Sequence, residues 1–143
     1  MKEEFIYMCT VQNKHTKTLS VKVGYTNDIL RRMKQLDESN PHYEYKHYRL
    51  FKHVMKTQGY IYDEQSIHRS SVPYRANLNK VSMPVGYTEC YEWGYTNDLI
   101  KKLGMIGYVC IYDEYYQYVK PEPEPKMFEW RNNDNMEQTK KGN

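Results

Sequence analysis

Two charged residues stand where helical periodicity calls for apolar ones. Between Ile29 and Leu36, the residues Ile29, Arg32, Met33 and Leu36 fall at i, i+3, i+4 and i+7, a single stripe with an arginine in it. Arg31 and Lys34 fall off that stripe and read as solvent groups. A guanidinium at a core margin needs an anion, because arginine keeps its proton at any ordinary pH. Between Tyr60 and His68 the stripe is Tyr60, Glu64, Ile67 and His68, and here the intruder is a carboxylate. Two chemistries suit this pattern. In one, Arg32 and Glu64 pair with each other or reach water at the stripe edge, and serve only the fold. In the other they converge on one concave surface, where the acid holds a divalent cation and the base grips a phosphate. Spacing alone leaves both open. His68, four residues after Glu64, either faces the same site or makes a helix-stabilising pair with its neighbour. The other histidines (His15, His42, His47, His53) show no metal-ligand spacing.

The elements that must position these groups can be read in order. Phe5 to Val11 is rich in aromatic and β-branched residues and predicts a strand; Gln12 to Thr18 is a polar loop; Leu19 to Tyr25 alternates as a second strand, forming an antiparallel hairpin with the first. In that second strand Leu19, Val21, Val23 and Tyr25 share one face, and Lys22 shares the other with Gly24. Asn27-Asp28 predicts a helix N-cap, with a helix from Ile29 to Leu36 ended by Asn40-Pro41. Tyr43 to Val54 reads as a strand, Tyr60 to His68 as a helix, Ser70 to Thr88 as a loop, Thr96 to Leu103 as a helix, and Ile106 to Val119 as a strand or two. The predicted class is α+β: a small, mostly antiparallel central sheet flanked by helices, with a disordered C-terminal tail. The run Gly24-Tyr25-Thr26-Asn27-Asp28 recurs as Gly94-Tyr95-Thr96-Asn97-Asp98, which reads as a shared strand-to-helix turn with a cap in each copy.

Composition narrows the function. The 143 residues suit one domain, and a mean hydropathy of −0.96 without a long apolar run excludes a membrane-spanning helix. Cys9, Cys90 and Cys110 are odd in number and form no CxxC pair; with no secretory leader, the expectation is an intracellular protein in a reducing compartment, not a secreted one. The 21 Lys+Arg against 18 Asp+Glu give a net charge of +3, which excludes a polycation that packages nucleic acid but not a local basic face. From Lys120 onward, alternating Pro and Glu and then an Asn-rich stretch predict a disordered tail, 120–143, after an ordered domain, 1–119. Within that tail, Met127-Phe128-Glu129-Trp130 reads either as part of a frayed segment or as a docking motif for a protein partner through Phe128 and Trp130. Arg31, Lys34, Arg69 and Arg75 are candidates for nucleic-acid contact, interleaved with tyrosines such as Tyr43, Tyr60 and Tyr74. Stacking on tyrosine with phosphate pairing to lysine would suit single-stranded or flexible nucleic acid. A solvated charged face with tyrosines half in the core is the other reading, and composition leaves duplex, branched and single-stranded substrates open.

Taken together, Phe5-Ile6-Tyr7, Lys22-Val23-Gly24-Tyr25-Thr26, Arg32, Glu64-Gln65-Ser66-Ile67-His68, Pro73-Tyr74-Arg75-Ala76-Asn77 and Thr88-Glu89-Cys90-Tyr91-Glu92-Trp93 resemble, in order and spacing, the GIY-YIG nuclease superfamily. The likeness is greatest to its bacteriophage open-reading-frame branch, found in phages and large DNA viruses. The resemblance covers residues 5–93. It implies a hydrolase that cuts DNA phosphodiester bonds with one divalent ion, Mg²⁺ or Mn²⁺, held by Glu64. It also implies that Arg32 contacts the scissile phosphate and that Tyr7 orients or helps activate the attacking water. Gly24, His68 and Asn77 would support the site. Two departures stand out: Phe5 replaces the glycine of the first motif, and Lys22 replaces the tyrosine of the second. Lys22 serves either as a base, if its pKa is lowered, or as a phosphate contact; Tyr25 points to the other face and cannot supply the missing phenol.

Three functions follow. The first is a small metal-dependent DNA endonuclease. The second is a non-cleaving nucleic-acid-binding module on the same surface, which the missing tyrosine favours. The third is an adaptor that acts through its tail. No heptad pattern specifies an oligomeric state.

Overall fold

The computed structural model describes residues 2–114. The first strand, β1 (Phe5–Asn13), turns back through a polar loop into β2 (Leu19–Thr26), pairing antiparallel with Tyr7 opposite Gly24 and Cys9 opposite Lys22. Asp28 then caps α1 (Ile29–Ser39) by accepting a hydrogen bond from the Arg31 backbone N–H at 3.2 Å. The chain continues into β3 (Tyr43–His53) on the other side of β1, then α2 (Tyr60–Ser70), a short β4 (Cys90–Glu92) beside β2, α3 (Thr96–Met105), and β5 (Tyr108–Asp113) beside β3. The sheet has five strands in the order β4-β2-β1-β3-β5, every pair antiparallel. The α+β class expected from the sequence is the class observed.

As the central strand, β1 is covered on both faces, which explains its nearly continuous apolar run. Ile6 and Met8 join Val21, Val23 and Phe51 against Tyr60 and Ile67 of α2 and Leu99 and Leu103 of α3. Tyr7, Cys9 and Val11 face the opposite way, with Tyr43, Tyr45 and Tyr48 of β3, Leu36 of α1, and Met83 and Cys90. Both helical stripes behave as their periodicity requires. Leu36 is the buried anchor of α1 with Ile29, Arg32 and Met33 half-buried beside it, and Tyr60, Glu64 and Ile67 are the buried positions of α2.

Three details differ from the sequence reading. Residues 70–88 contain two 3-10 turns, Val72–Tyr74 and Tyr87–Glu89, and lead into β4, a strand of 3 residues, too short to leave an alternation signal. The second Gly-Tyr-Thr-Asn-Asp copy is not a capped turn. Its helix starts at Thr96, directly from a 3-10 turn over Trp93–Tyr95, so Asp98 lies in the first turn while Asp28 of the first copy is a true cap. The final strand ends at Asp113, and Val119, the tail and its Phe128 and Trp130 lie outside the described residues.

The long 70–88 connection is tied down by one buried residue. Asn40, at the end of α1, donates from Nδ2 to the Tyr45 hydroxyl at 2.7 Å and to the Val85 carbonyl at 2.8 Å, and its Oδ1 accepts from the Val85 N–H at 3.1 Å. Val85 in turn precedes Gly86, whose φ of +86° begins the turn that carries Glu89 to the edge of β2. A side chain at Gly86 would also be crowded, because its Cβ would stand 3.1 Å from the Lys22 ammonium, which would have to shift by a few tenths of an ångström.

Candidate metal centre at the edge of the sheet

β4 pairs with β2 only from Ser20 to Lys22, so among the described residues the edge of β2 beyond Lys22 has no strand beside it. Groups from both layers meet there. From α2, the Glu64 carboxylate lies 3.1 Å from His68 Nε2, one helical turn on. The His68 ring stacks on Tyr91 at 5.7 Å and 15°, and its Nδ1 is hydrogen-bonded to the Tyr91 hydroxyl. Glu89, the residue before β4, completes the cluster: one ligand atom from each of Glu64, His68 and Glu89 lies within 4.8 Å of the others. A cation held at about 2.1 Å by two ligands brings them to about 4 Å apart or less, so small side-chain movements would close this set around one ion. The contact between His68 and Tyr91 suits such a role as well. With Nδ1–H given to the Tyr91 oxygen, the Nε2 lone pair faces the carboxylates, the usual way a ligating imidazole is oriented.

Beneath the cluster lies Lys22. Its side chain is 1% exposed and forms an ion pair with Glu89 Oε1. Burial pulls the ammonium's pKa down, but the oxygens of Tyr7 and Glu89 outweigh it and lift the pKa above its ordinary value. Lys22 therefore keeps its proton. That corrects both roles expected of it: a general base needs the opposite shift, and a phosphate contact needs an ammonium that solvent can reach. The pairing acts on Glu89 instead. Burial alone would raise that carboxyl's pKa, while Lys22, with His68 and Arg32 further off, holds it below the usual carboxylate range.

Tyr7 packs over the same spot. It has no exposed surface, its ring lies under the Lys22 ammonium at 5.5 Å, and it fills the space that a side chain at residue 24 would take. Gly24 is thus a close-approach glycine whose backbone lies against the phenol. Burial lifts the Tyr7 pKa above its ordinary value against the pull of Lys22 and Arg32, so the phenol stays protonated. Its hydroxyl accepts from Arg32 Nη1 at 3.5 Å. The burial of Tyr7 corrects the expectation that it meets the attacking water; it positions Arg32. Arg32 is half-buried and, among the described residues, is in no ion pair, so its pairing with Glu64 does not occur. A half-buried guanidinium without a carboxylate partner is a site for an anion from outside.

Tyr7, Lys22, Gly24, Arg32, Glu64 and His68 are therefore gathered around one strand edge. Arg75 is brought alongside through a backbone bridge to Tyr91. Arg31 is exposed and lies 3.6 Å from Asp28, Lys34 lies 3.9 Å from Glu38 on the outer side of α1, and Arg69 is exposed on α2. Asn77 is not part of the group. It is exposed, lines a separate hollow with Asn13, Thr16 and Ser82, and its side chain makes no hydrogen bond among the described residues. The asparagine that is buried and fully hydrogen-bonded is Asn40, which holds Val85 and Tyr45 and not the acidic helix. Glu89 is the member of the cluster that the sequence did not single out; its signal was the Thr88-Glu89-Cys90-Tyr91-Glu92-Trp93 motif, which fixes its place but not its direction.

A family model, the T5orf172 domain, matches residues 4–107. The chain belongs to the T5orf172 domain family. This family is phage-associated and nuclease-like, which points to a role on nucleic acid. The T5orf172 match contains every member of the strand-edge cluster and stops one residue before β5. No curated protein and no solved structure matches the chain. Among the described residues, no helix is long and apolar enough to cross a membrane.

Proposed function

We propose that this T5orf172 protein is a metal-dependent DNA endonuclease of the GIY-YIG type. The observation that carries this reading is the meeting of Glu64, His68 and Glu89 at ligand spacing, with an arginine close by that is in no ion pair among the described residues. Glu64, His68 Nε2 and the Glu89 oxygen turned from Lys22 would hold one divalent ion, Mg²⁺ or Mn²⁺; the imidazole tilts the choice toward Mn²⁺. When bound, such an ion supplies Lewis-acid stabilisation of the phosphodiester and its leaving oxygen. Arg32 binds non-bridging phosphate oxygens, and its planar fork suits that task better than a lysine. Tyr7 keeps the guanidinium in place, Gly24 gives the phenol room, and Lys22 keeps Glu89 ionised and turned toward its partners. Arg75, beside Tyr91, and the exposed Arg31, Lys34 and Arg69 supply the electrostatic attraction to DNA.

The test is plasmid nicking in Mg²⁺ and in Mn²⁺. The parent protein nicks, Glu64→Gln does not, and Arg32→Lys retains metal binding but loses at least ten-fold in rate. A parent protein that binds DNA yet cuts in neither metal refutes the enzyme. That outcome would favour the second reading, a non-cleaving nucleic-acid-binding module, for which the sealed Lys22 in place of a phenol is the supporting observation.

A further inference from the structure

A line of aromatic rings leads away from the candidate metal centre to the surface. His68 stacks on Tyr91 at 5.7 Å; Tyr91 meets Tyr95 at 6.0 Å and 45°; Tyr95 stacks on Tyr74 at 4.2 Å and 8°. The first three rings are largely buried, but Tyr74 is 45% exposed. One face of Tyr74 is backed by Tyr95 while the residue stays 45% exposed, so the ring is a pre-set platform whose ordering entropy is already spent in folding.

Beside it is an open cavity of about 450 Å³ lined by Tyr74, Tyr95, Ser70, Lys101, Lys102 and Asp98, with Met105 at its rim. Two of these groups are ammoniums, and neither is in an ion pair among the described residues. Lys102 is aimed by donating to the Ser70 hydroxyl at 2.9 Å and carbonyl at 3.2 Å, and it stands 5.9 Å from the Tyr95 ring. Lys101 is exposed on the same helix. Asp98 is the single carboxylate in the lining. A backed aromatic face flanked by two cations matches an unpaired base on a phosphate chain, since every base offers a π-face and every linkage a negative charge. Stacked base pairs in duplex DNA have no free face to offer.

We propose that Tyr74, with Lys101 and Lys102, is a docking platform for an unpaired base of single-stranded DNA, so that the substrate contains a single-stranded or splayed segment. This rests on the nuclease reading above and names its substrate class.

The test uses the full chain in EDTA, which prevents cleavage, with a fluorescein-labelled single strand and a blunt duplex of equal length, read by anisotropy. Tyr74→Ala should weaken single-strand binding about ten-fold while leaving duplex binding within two-fold, and Tyr74→Phe should bind like the parent. Lys101→Gln with Lys102→Gln should flatten the salt dependence of single-strand binding by roughly 0.7 per lysine. If Tyr74→Ala proves unfolded by its thermal melt, the parent protein is titrated with strands carrying one abasic residue at each position in turn; a single position should lose about ten-fold. Unchanged single-strand affinity in Tyr74→Ala, equal losses on duplex and single strand, or an even response to abasic position overturns the platform. Plasmid nicking lost in Glu64→Gln, together with parent-like single-strand affinity in Tyr74→Ala, separates the outcomes: the nuclease stands and the platform falls.

Discussion

Replacing Gly24 by alanine tests the packing that holds the candidate site together. A Cβ at this position would meet Tyr7 Cζ at 2.4 Å, Oη at 2.5 Å and Cε1 at 2.6 Å. Carbon contacts are comfortable at about 3.5 Å, so the phenol must retreat by about 1 Å. It has little room, being fully buried between Lys22, Arg32 and the Tyr48 ring. Overpacking of this kind costs about 1–3 kcal/mol. Against it, alanine is better than glycine within a strand by about 0.5–1 kcal/mol, and residue 24 needs no positive φ. The net expectation is a loss of about 1–2 kcal/mol. In a Tyr7→Leu background the clashing atoms are gone, and the same Gly24→Ala change should be neutral or stabilising by about 0.5 kcal/mol. Urea denaturation of the four proteins at one temperature measures both values and their coupling, which should be on the order of 2 kcal/mol. Equal effects of Gly24→Ala in the two backgrounds would falsify the close-approach argument. So would a Gly24→Ala protein as stable as its parent.

Three further changes probe separate parts of the argument. Tyr91→Phe removes the oxygen that orients His68 and should weaken Mn²⁺ binding about 10–100-fold in a calorimetric titration, with little change in stability; unchanged affinity would remove His68 from the ligand set. Asn40→Ala strands the Val85 backbone groups and the Tyr45 hydroxyl and should lower the unfolding free energy by about 2–4 kcal/mol, read from urea midpoints. Asp113 accepts from His47 Nε2 at 2.9 Å and Arg49 Nε at 3.1 Å; burial would raise its pKa, but these partners outweigh it and hold it below the ordinary value. A carboxyl whose folded pKa is depressed adds stability above its unfolded pKa of about 3.9 and loses it as the pH falls through the folded value. Asp113→Asn should therefore destabilise the protein at pH 7, and the gap from the parent should close below about pH 4; a gap constant from pH 7 to pH 3 contradicts that pairing.

The order of elements up to α2, the antiparallel hairpin and the two charged stripes were legible in the sequence, because each is a local or periodic property. Alternation in β2 put Lys22 and Gly24 on one face, and they lie there, opposite Cys9 and Tyr7. Helical spacing set Arg32 and Glu64 on core-facing stripes, where both are found. The motifs fixed the family, which the match over residues 4–107 bears out at the level of a nuclease-like phage domain.

What those groups face was decided in three dimensions. Lys22 looked like a base or a phosphate contact because a lysine on an exposed sheet face is free; the turn from Gly86 lays Glu89 over it, and burial next to an anion reverses the expected shift. Asn77 and Asn40 carry the same chemistry in the sequence, but Asn40 alone is buried against unsatisfied backbone groups, a property of packing that no motif records. Glu89 becomes a partner of Glu64 and His68 because β4 ends where it does, and a strand of 3 residues leaves no periodic trace. The polypeptide's own pattern thus assigned residues to faces and elements, since that depends on neighbours along the chain. Which charges were paired, sealed or left open depended on segments far apart in sequence, and only folding brought those together.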